Sequence, residues 1–466
     1  MTLFSKKISP YFLITIALIS FRALLNYAIP LMDKTEARYA EIARIMAETN
    51  NWITPQIDYG VPFWAKPPLS TWLSAFSFEL FGVNEFAARL PYLLLCILIA
   101  LLIGKYAKRK GLDFFIPAVI IFTIPEFLIH AGVVSTDTAL AFCVTLVMLS
   151  FWEGIHNKEQ RFWKYLFFIG VGLGLLAKGP IIIILTGPPI FIWLIISKEF
   201  KNLWKSFPWI IGVIITALVA VPWYYFAEQK SPGFIDYFIV GEHFKRFLSS
   251  GWQGDKYGFP KSQPFGIIWV FLIAFAIPWI IILIKKLWQN KLVLVKNKWV
   301  LYLFLWLVWT PLFFTISKSL IHPYIMPVMV PIALLITHWW KDLVHKNRIV
   351  FGSLLFPAIA FLLLIGLTFS GKKEFYMNSD KYLIENTSEK NLQIYHWQKK
   401  SYSGQFYTKG AIKAVKDTLE LNKLIIENKP FLMIIPHKKI KKMGKKSIQD
   451  LEQIDSNNKK GMYLFK

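Results

Sequence analysis

Residues 33–69, DKTEARYAEIARIMAETNNWITPQIDYGVPFWAKPPL, form the longest polar interruption in the apolar first half of the chain. Asp33, Lys34, Glu36, Arg38, Glu41, Arg44, Glu48, Asp58 and Lys66 gather acids and bases directly after an apolar run that ends near Met32. Tyr39, Ile42, Ala43 and Met46 recur at helical spacing with Glu41, Arg44 and Glu48 opposite them, which predicts a short amphipathic helix lying along a bilayer surface. Asn50, Asn51, Pro55, Gly60, Pro62, Pro67 and Pro68 then break the helix, and a half-apolar helical pattern resumes over 69–81. The acids have an ordinary use: Asp33 as N-cap, Glu36 completing a capping box, and Arg38 with Glu41 as a surface pair. They also have a chemical use, in which one carboxylate is a general base while Arg38 and Lys66 hold an anion.

The rest of the chain says where this loop sits. Over 466 residues, 55% are hydrophobic and 17% aromatic, which excludes a soluble multidomain enzyme and a disordered protein and predicts a polytopic membrane protein. The formal charge of +25 is spread in short clusters between apolar runs, as topology and anionic lipid headgroups require, with no aromatic-rich basic module for nucleic acid. Cys96 and Cys143 lie inside apolar runs without metal-ligand spacing and read as packing residues. The run Tyr11 to Met32 lacks a small-residue cleavage site and reads as an uncleaved first span. Arg22 within it either snorkels or serves a function.

Further apolar runs at about 86–104, 113–130, 136–155, 163–177, 180–197, 207–227, 264–284, 299–316, 323–340 and 349–370 bring the expected spans to about eleven. Alternate connections are basic, at Lys105 to Lys110, Lys158 to Lys164, Lys198 to Lys205, Lys285 to Lys298 and Lys341 to Arg348. The positive-inside rule puts these in the cytoplasm and all the unusual polar motifs on the outer face. Those motifs are Asp137 in VVSTDTAL, Lys178 in LLAKGP, Glu242, His243 and Arg246 in GEHFKRF, and Lys318, His322 and Tyr324 in SKSLIHPY. Each has a bland reading. Asp137 serves in an N-cap with Ser135 or Thr136, Lys178 snorkels, His243 is inert, and the last group only anchors a helix end. Beyond Gly371 the chain turns polar and lysine-rich, with strand-like pieces at 392–397, 431–436 and 462–465 and a helix at 418–427. That predicts a small outer α/β domain over 372–466, following a membrane domain over 1–371 with its outer loop at 33–85.

TEARYAEIARIM, NWITPQIDYGVPFWAKPPL and FGVNEFAARLP, followed in order by Asp137, LLAKGP, EHFKRF and SKSLIHPYIMP, resemble the membrane glycosyltransferases that include protein O-mannosyltransferases and the aminoarabinose transferases of lipid A. The resemblance implies the C-type glycosyltransferase fold. It also implies inverting transfer of a sugar from a polyprenyl phosphate to a cell-envelope acceptor, such as lipid A, another glycolipid or a protein, at the outer face of the inner membrane. Glu36, Arg38, Tyr39 and Glu41 match the family's D-E-x-R-Y-A-E pattern, Lys66 and Pro67 its F-E-K-P pattern, and Asp137 its second acidic position. Thr35 stands where the first pattern carries Asp, which leaves Asp33 or Glu36 to supply the base. Ala65 stands where the second carries Glu, which removes a carboxylate from the divalent-ion site of some relatives, so no cofactor or metal is implied. The chemistry asks for the same parts: one carboxylate to take the acceptor's proton and fixed cations for the departing phosphate. Asp33, Glu36 and Asp137 are the candidate acids, and Arg38, Lys66, Lys178 and Arg246 the phosphate-binding cations. Tyr39, Glu242, His243, Lys318, His322 and Tyr324 are candidate substrate contacts. The alternative from another class is a lipid transporter or flippase, which predicts broken helices in repeated halves; no internal repeat is evident.

Overall fold

A computed structural model of the chain describes residues 8–157, 159–245, 252, 254, 256–257, 263–317, 319–440, 443 and 449–466. The fold is mostly helical. Apolar helices α1 (Pro10–Ala28), α4 (Glu85–Arg109), α7 (Thr136–His156), Trp209–Lys230 and the stretch Lys346–Phe369 are long and apolar enough to cross a membrane. Two bent pairs, Ile181–Ser197 with Phe200–Ser206 and Ile267–Phe275 with Trp279–Gln289, raise that number to seven if each is one span. The helix Trp209–Lys230 turns Ile210, Ile211, Val213, Leu218 and Val221 outward. Such a large continuous apolar exterior suits lipid rather than water.

Proline decides where the apolar runs break. The run 113–130, expected as one span, forms α5 (Ile116–Phe122) and α6 (Pro125–His130). Ile124, the residue before Pro125, is extended at φ −73°, ψ 122°, because the proline ring crowds a helical conformation in its predecessor. Pro278 likewise separates the two helices of the 267–289 pair, which meet at 106°.

At the centre lies α7, buried along nearly its whole length. It packs against α8 (Phe162–Lys178) and α9 (Ile181–Ser197). Two of the buried aromatic residues with polar tips are paired: Tyr302 donates to the Met148 carbonyl at 2.7 Å and Trp279 to Thr123 Oγ1 at 2.8 Å, so these two rings fill the core without a stranded N–H or O–H. Arg22 is buried and donates to the Gly132 carbonyl at 2.6 Å, a structural use rather than snorkelling.

Between α1 and α4 lie α2 (Thr35–Thr49), a hairpin of β1 (Gln56–Asp58) and β2 (Val61–Pro62), and α3 (Leu69–Phe81). The charged side of α2, expected along the bilayer surface, is covered by protein, since Glu36, Glu41 and Arg44 are all buried. Arg44 grips Glu41 through two bonds of 2.7 and 2.8 Å and also pairs with Glu48, so the expected Arg38–Glu41 pair does not form. Nor does Asp33 cap the helix: Lys34 is the N-cap and makes no side-chain capping bond.

What covers the polar face of α2 is the C-terminal segment. Its five strands, β3 (Ile394–Trp397), β4 (Lys413–Val415), β5 (Phe431–Pro436), β6 (Glu452–Ser456) and β7 (Lys460–Phe465), form a mixed sheet in the order β4-β3-β5-β7-β6. β3 runs parallel to β4 and β5, and β7 runs antiparallel to β5 and β6. The helix Tyr402–Tyr407 of this segment lies on α2, where Tyr407 Oη accepts from the Leu31 N–H at 2.8 Å. Lys381 pairs with Glu85 at 2.5 Å, and Lys400 pairs with Asp58.

Candidate active site

The last residue of α8 is Lys178, and Asp137 lies in the first turn of α7. Gly179 ends α8 with φ +76°, and a Cβ there would sit 2.6 Å from Phe238 Cζ and 3.1 Å from His243 Cε1. Only glycine meets both demands. Pro180 then caps α9 and turns the chain away. Ser135, the N-cap of α7, accepts the Asp137 N–H at 3.1 Å, and its hydroxyl donates to the Asp137 carboxylate at 3.1 Å. The carboxylate thus faces Lys178 Nζ at 2.5 Å. A lysine at a helix C-terminus and an aspartate at a helix N-terminus are each favoured by the local dipole.

Two adjoining cavities meet at this pair, and both are lined by Lys66, Asp137, Lys178, Ser319 and Tyr324. One, of about 150 Å³, is walled by Leu140, Ile181, Ile184, Leu185, Phe313 and Phe314. The other, of about 380 Å³, is walled by Lys34, Thr35, Arg38, Tyr39, Thr136 and Tyr257. The first chamber is greasy and the second polar, with cations at their junction. Lys178 Nζ lies 4.3 Å from the Tyr324 ring centre, Lys66 Nζ is 2.9 Å from Glu242, and Arg38 donates to the Tyr257 carbonyl at 2.9 Å. The guanidinium of Arg38 also sits 5.3 Å from the Tyr39 ring centre and 5.6 Å from that of Phe63. His243 fixes the backbone, its Nδ1 2.8 Å from the Phe238 carbonyl and its Nε2 3.2 Å from that of Lys178. Burial pushes its imidazole below the ordinary histidine range, because desolvation disfavours the charged ring.

The structure therefore brings Arg38, Tyr39, Lys66, Asp137, Lys178, Glu242, His243 and Tyr324 around one space. It does not bring Asp33 or Glu36 there. Asp33 accepts from the Ser403 N–H and hydroxyl at 2.9 and 2.6 Å and pairs with Lys460 at 3.1 Å. Glu36 is held in a fork by Arg89 at 2.8 Å through each oxygen. Both carboxylates are saturated by the packing of other elements. His322 turns instead toward Glu126, at 2.9 Å. Arg246 and Lys318 lie outside the described residues. Sequence reasoning missed Tyr257 and Ser319 as lining residues, and Arg89 as the partner of Glu36. Only Arg89 left a signal, an arginine inside an apolar run that needs a partner.

A multi-pass helical protein with a polar chamber and an apolar chamber sharing buried charges has room for a ligand with an anionic head and an apolar tail. Residues 8–238 match the family described as dolichyl-phosphate-mannose-protein mannosyltransferase. The chain is 29% identical over 328 residues to the undecaprenyl phosphate-alpha-4-amino-4-deoxy-L-arabinose arabinosyl transferase of Enterobacter sp. (strain 638), covering 68% of this chain and 57% of that protein. It is 28% identical over 370 residues to the corresponding transferase 2 of Pseudomonas fluorescens (strain Pf0-1), covering 74% and 64%. The chain thus spans less than two thirds of the length of either relative. Its fold matches the crystal structure of ArnT from Cupriavidus metallidurans bound to undecaprenyl phosphate with a TM-score of 0.76 at 19% identity, over 97% of both chains. Over most of its length the chain is thus similar to membrane glycosyltransferases named for lipid-phosphate-linked sugar donors.

Proposed function

We propose that this protein transfers a glycosyl group, with inversion, from a polyprenyl-phosphate-linked sugar to a hydroxyl of a cell-envelope glycolipid, glycan or protein. The observation that carries this reading is the buried Asp137–Lys178 pair at the junction of the two chambers. The polyprenyl chain enters the apolar chamber, its phosphate meets Lys178, Lys66 and Arg38, and the sugar and acceptor fill the polar chamber. Arrival of the phosphate draws Lys178 from Asp137 and frees the carboxylate to accept a proton. The acceptor oxygen forms the new bond to the anomeric carbon, its proton passes to Asp137, and the bond from that carbon to the phosphate oxygen breaks. The electron pair leaves with the phosphate, where fixed cations stabilise it without a proton donor. Asp137 is the base in this scheme, rather than Asp33 or Glu36, because its carboxylate reaches the shared space. Similarity to glycosyl transferases favours this reading over lipid transport.

The same reading sets the site and the segment 372–466 on the outer side of the inner membrane, with 1–371 as the membrane domain. Eleven crossings result if the long helices and bent pairs are joined by α8, α5 with α6, Lys298–Phe314 and His322–His338. Labelling of introduced cysteines with an impermeant reagent tests the orientation: position 409 should react from outside, and reaction at position 291 would overturn it. Purified protein in lipid nanodiscs, supplied with a polyprenyl-phosphate sugar or a nucleotide sugar, tests the donor. Transfer is expected from the lipid-linked sugar, and transfer from the nucleotide sugar alone refutes the assignment.

A further inference from the structure

Glu126, His130 and His322 meet beside the site without lining either chamber. Glu126 and His130 stand four residues apart on α6, so they share one face. His322 opens the 3₁₀ helix His322–Val328. Glu126 Oε1 lies 2.9 Å from His130 Nδ1, and Glu126 Oε2 lies 2.9 Å from His322 Nδ1. The three ligand atoms all fall within 4.8 Å of one another. Glu126 is fully buried and His130 nearly so, whereas the His322 side chain is 37% exposed. The His322 ring stacks on Phe275 at 4.6 Å and 5°, which fixes its plane. It meets the His130 ring edge-on at 5.5 Å.

We propose that these three side chains form a binding site for a zinc-class transition-metal ion. Neighbouring ligands of a tetrahedral zinc ion with bonds near 2.0–2.1 Å stand roughly 3.3 Å apart. Small shifts from the observed spacings supply that geometry. Two imidazole nitrogens and one carboxylate oxygen suit zinc and its neighbours, whereas calcium and magnesium prefer all-oxygen shells. A fully buried carboxylate needs a compensating charge, and one divalent ion explains why two histidines aim the same nitrogen at it. The half-exposed side of His322 leaves the fourth position open to water.

The ion would brace two walls of the transfer site. His130 accepts through its carbonyl from Thr138 Oγ1 at 3.0 Å, next to Asp137. On the other wall, Tyr324, two residues past His322, faces Lys178. Glu126, His130 and His322 are positioning residues in this arrangement. The metal assignment rests on their geometry and stands whether or not the glycosyl donor is the one proposed above.

The test uses the full-length chain, purified in nanodiscs with a tag that contains no histidine. Zinc content is measured by elemental mass spectrometry and affinity by competition with a chromophoric chelator. The expected result is about one zinc per chain, lost in Glu126→Gln and weakened at least tenfold in the half-exposed His322→Ala. Zinc at about 100 times its Kd should shift the folding equilibrium of the unaltered chain roughly 100-fold, read as a higher Tm, and should not move that of His322→Ala. A wild-type chain that binds no zinc at micromolar concentration overturns the proposal and leaves a hydrogen-bonded triad. Undiminished binding by His322→Ala overturns it equally. If Glu126→Gln fails to fold, the wild-type stoichiometry and His322→Ala decide the matter.

Discussion

The entry to α2 and the entry to α7 each present buried carboxylates, and burial does not tell them apart. The side chains of Asp33, Glu36 and Asp137 are 7%, 9% and 9% exposed. What differs is the partner. Lys460 and Arg89 reach Asp33 and Glu36 from packed walls, and Arg89 is itself tied to the carbonyls of Asn26, Ile29 and Pro30. Lys178 reaches Asp137 from the rim of a cavity. An acid whose cation is locked into the scaffold is a structural joint, and an acid whose cation faces open space is available for exchange with a ligand.

The largest effect expected from this contrast is on turnover. Asp137→Asn should lower transfer by about 10² to 10⁴-fold per correctly folded molecule, as loss of a general base does. Asp33→Asn, assayed beside it, should leave the turnover of correctly folded protein near normal. Equal losses in both variants, with both proteins intact, would erase the distinction.

Stability should show the reverse order. Glu36→Gln leaves Arg89 buried without its counter-charge and should cost about 3–5 kcal/mol, measured as a fall in Tm in nanodiscs. A smaller effect belongs to Lys66→Ala, which removes one charge-assisted contact of about 1.5–3 kcal/mol from the donor phosphate. It should raise the donor KM by roughly tenfold to a hundredfold, and an unchanged KM would take Lys66 out of the phosphate site.

The smallest effect is a pH dependence of the contact between the C-terminal sheet and α2. Burial opposes ionisation of Asp380, but Lys460 at 2.6 Å and the nearby His396 outweigh it and hold the carboxyl below the ordinary aspartate range. Burial also opposes the charge on Lys460, and Asp380 with Asp33 outweighs it, so the ammonium is held above the ordinary lysine range. The aspartate's contribution is present above its unfolded pKa of about 3.9 and is lost as pH falls through the lower folded value. The lysine's is complete below about pH 10.4 and is lost as pH rises through the higher folded value. Hydrogen exchange over residues 394–465 should therefore be slow across the middle range and faster at both ends. Lys460→Met should flatten both limbs, and a profile that survives that change would place the titration elsewhere.

Much of the architecture was legible in residue order. Apolar runs marked the helices of a membrane protein because a segment in lipid must satisfy its own backbone and face outward with apolar side chains. The strand at 431–436 and the helix beginning at Thr418 lie where the residue pattern predicts them, and Asp417 caps that helix by accepting the Glu420 N–H at 2.9 Å. Proline was the weak point, since a run long enough to span says nothing of a break at Pro125 or Pro278.

Sequence alone determined that the chain is built from apolar helices, that the segment beyond Gly371 mixes strands and helices, and that acids and bases cluster in a few motifs. Only the tertiary structure decided which of those charges share a space. Asp33 lies 427 residues from Lys460 and Glu36 lies 53 from Arg89, so no local spacing announces either pair. The amphipathic pattern of α2 predicts a helix lying along the bilayer surface, whereas protein covers its charged side. Hydrophobic periodicity reports which side of a helix is apolar, whereas the partner of its polar side is set by long-range packing, and that packing turned the acids of α2 into joints and left Asp137 beside the cavity.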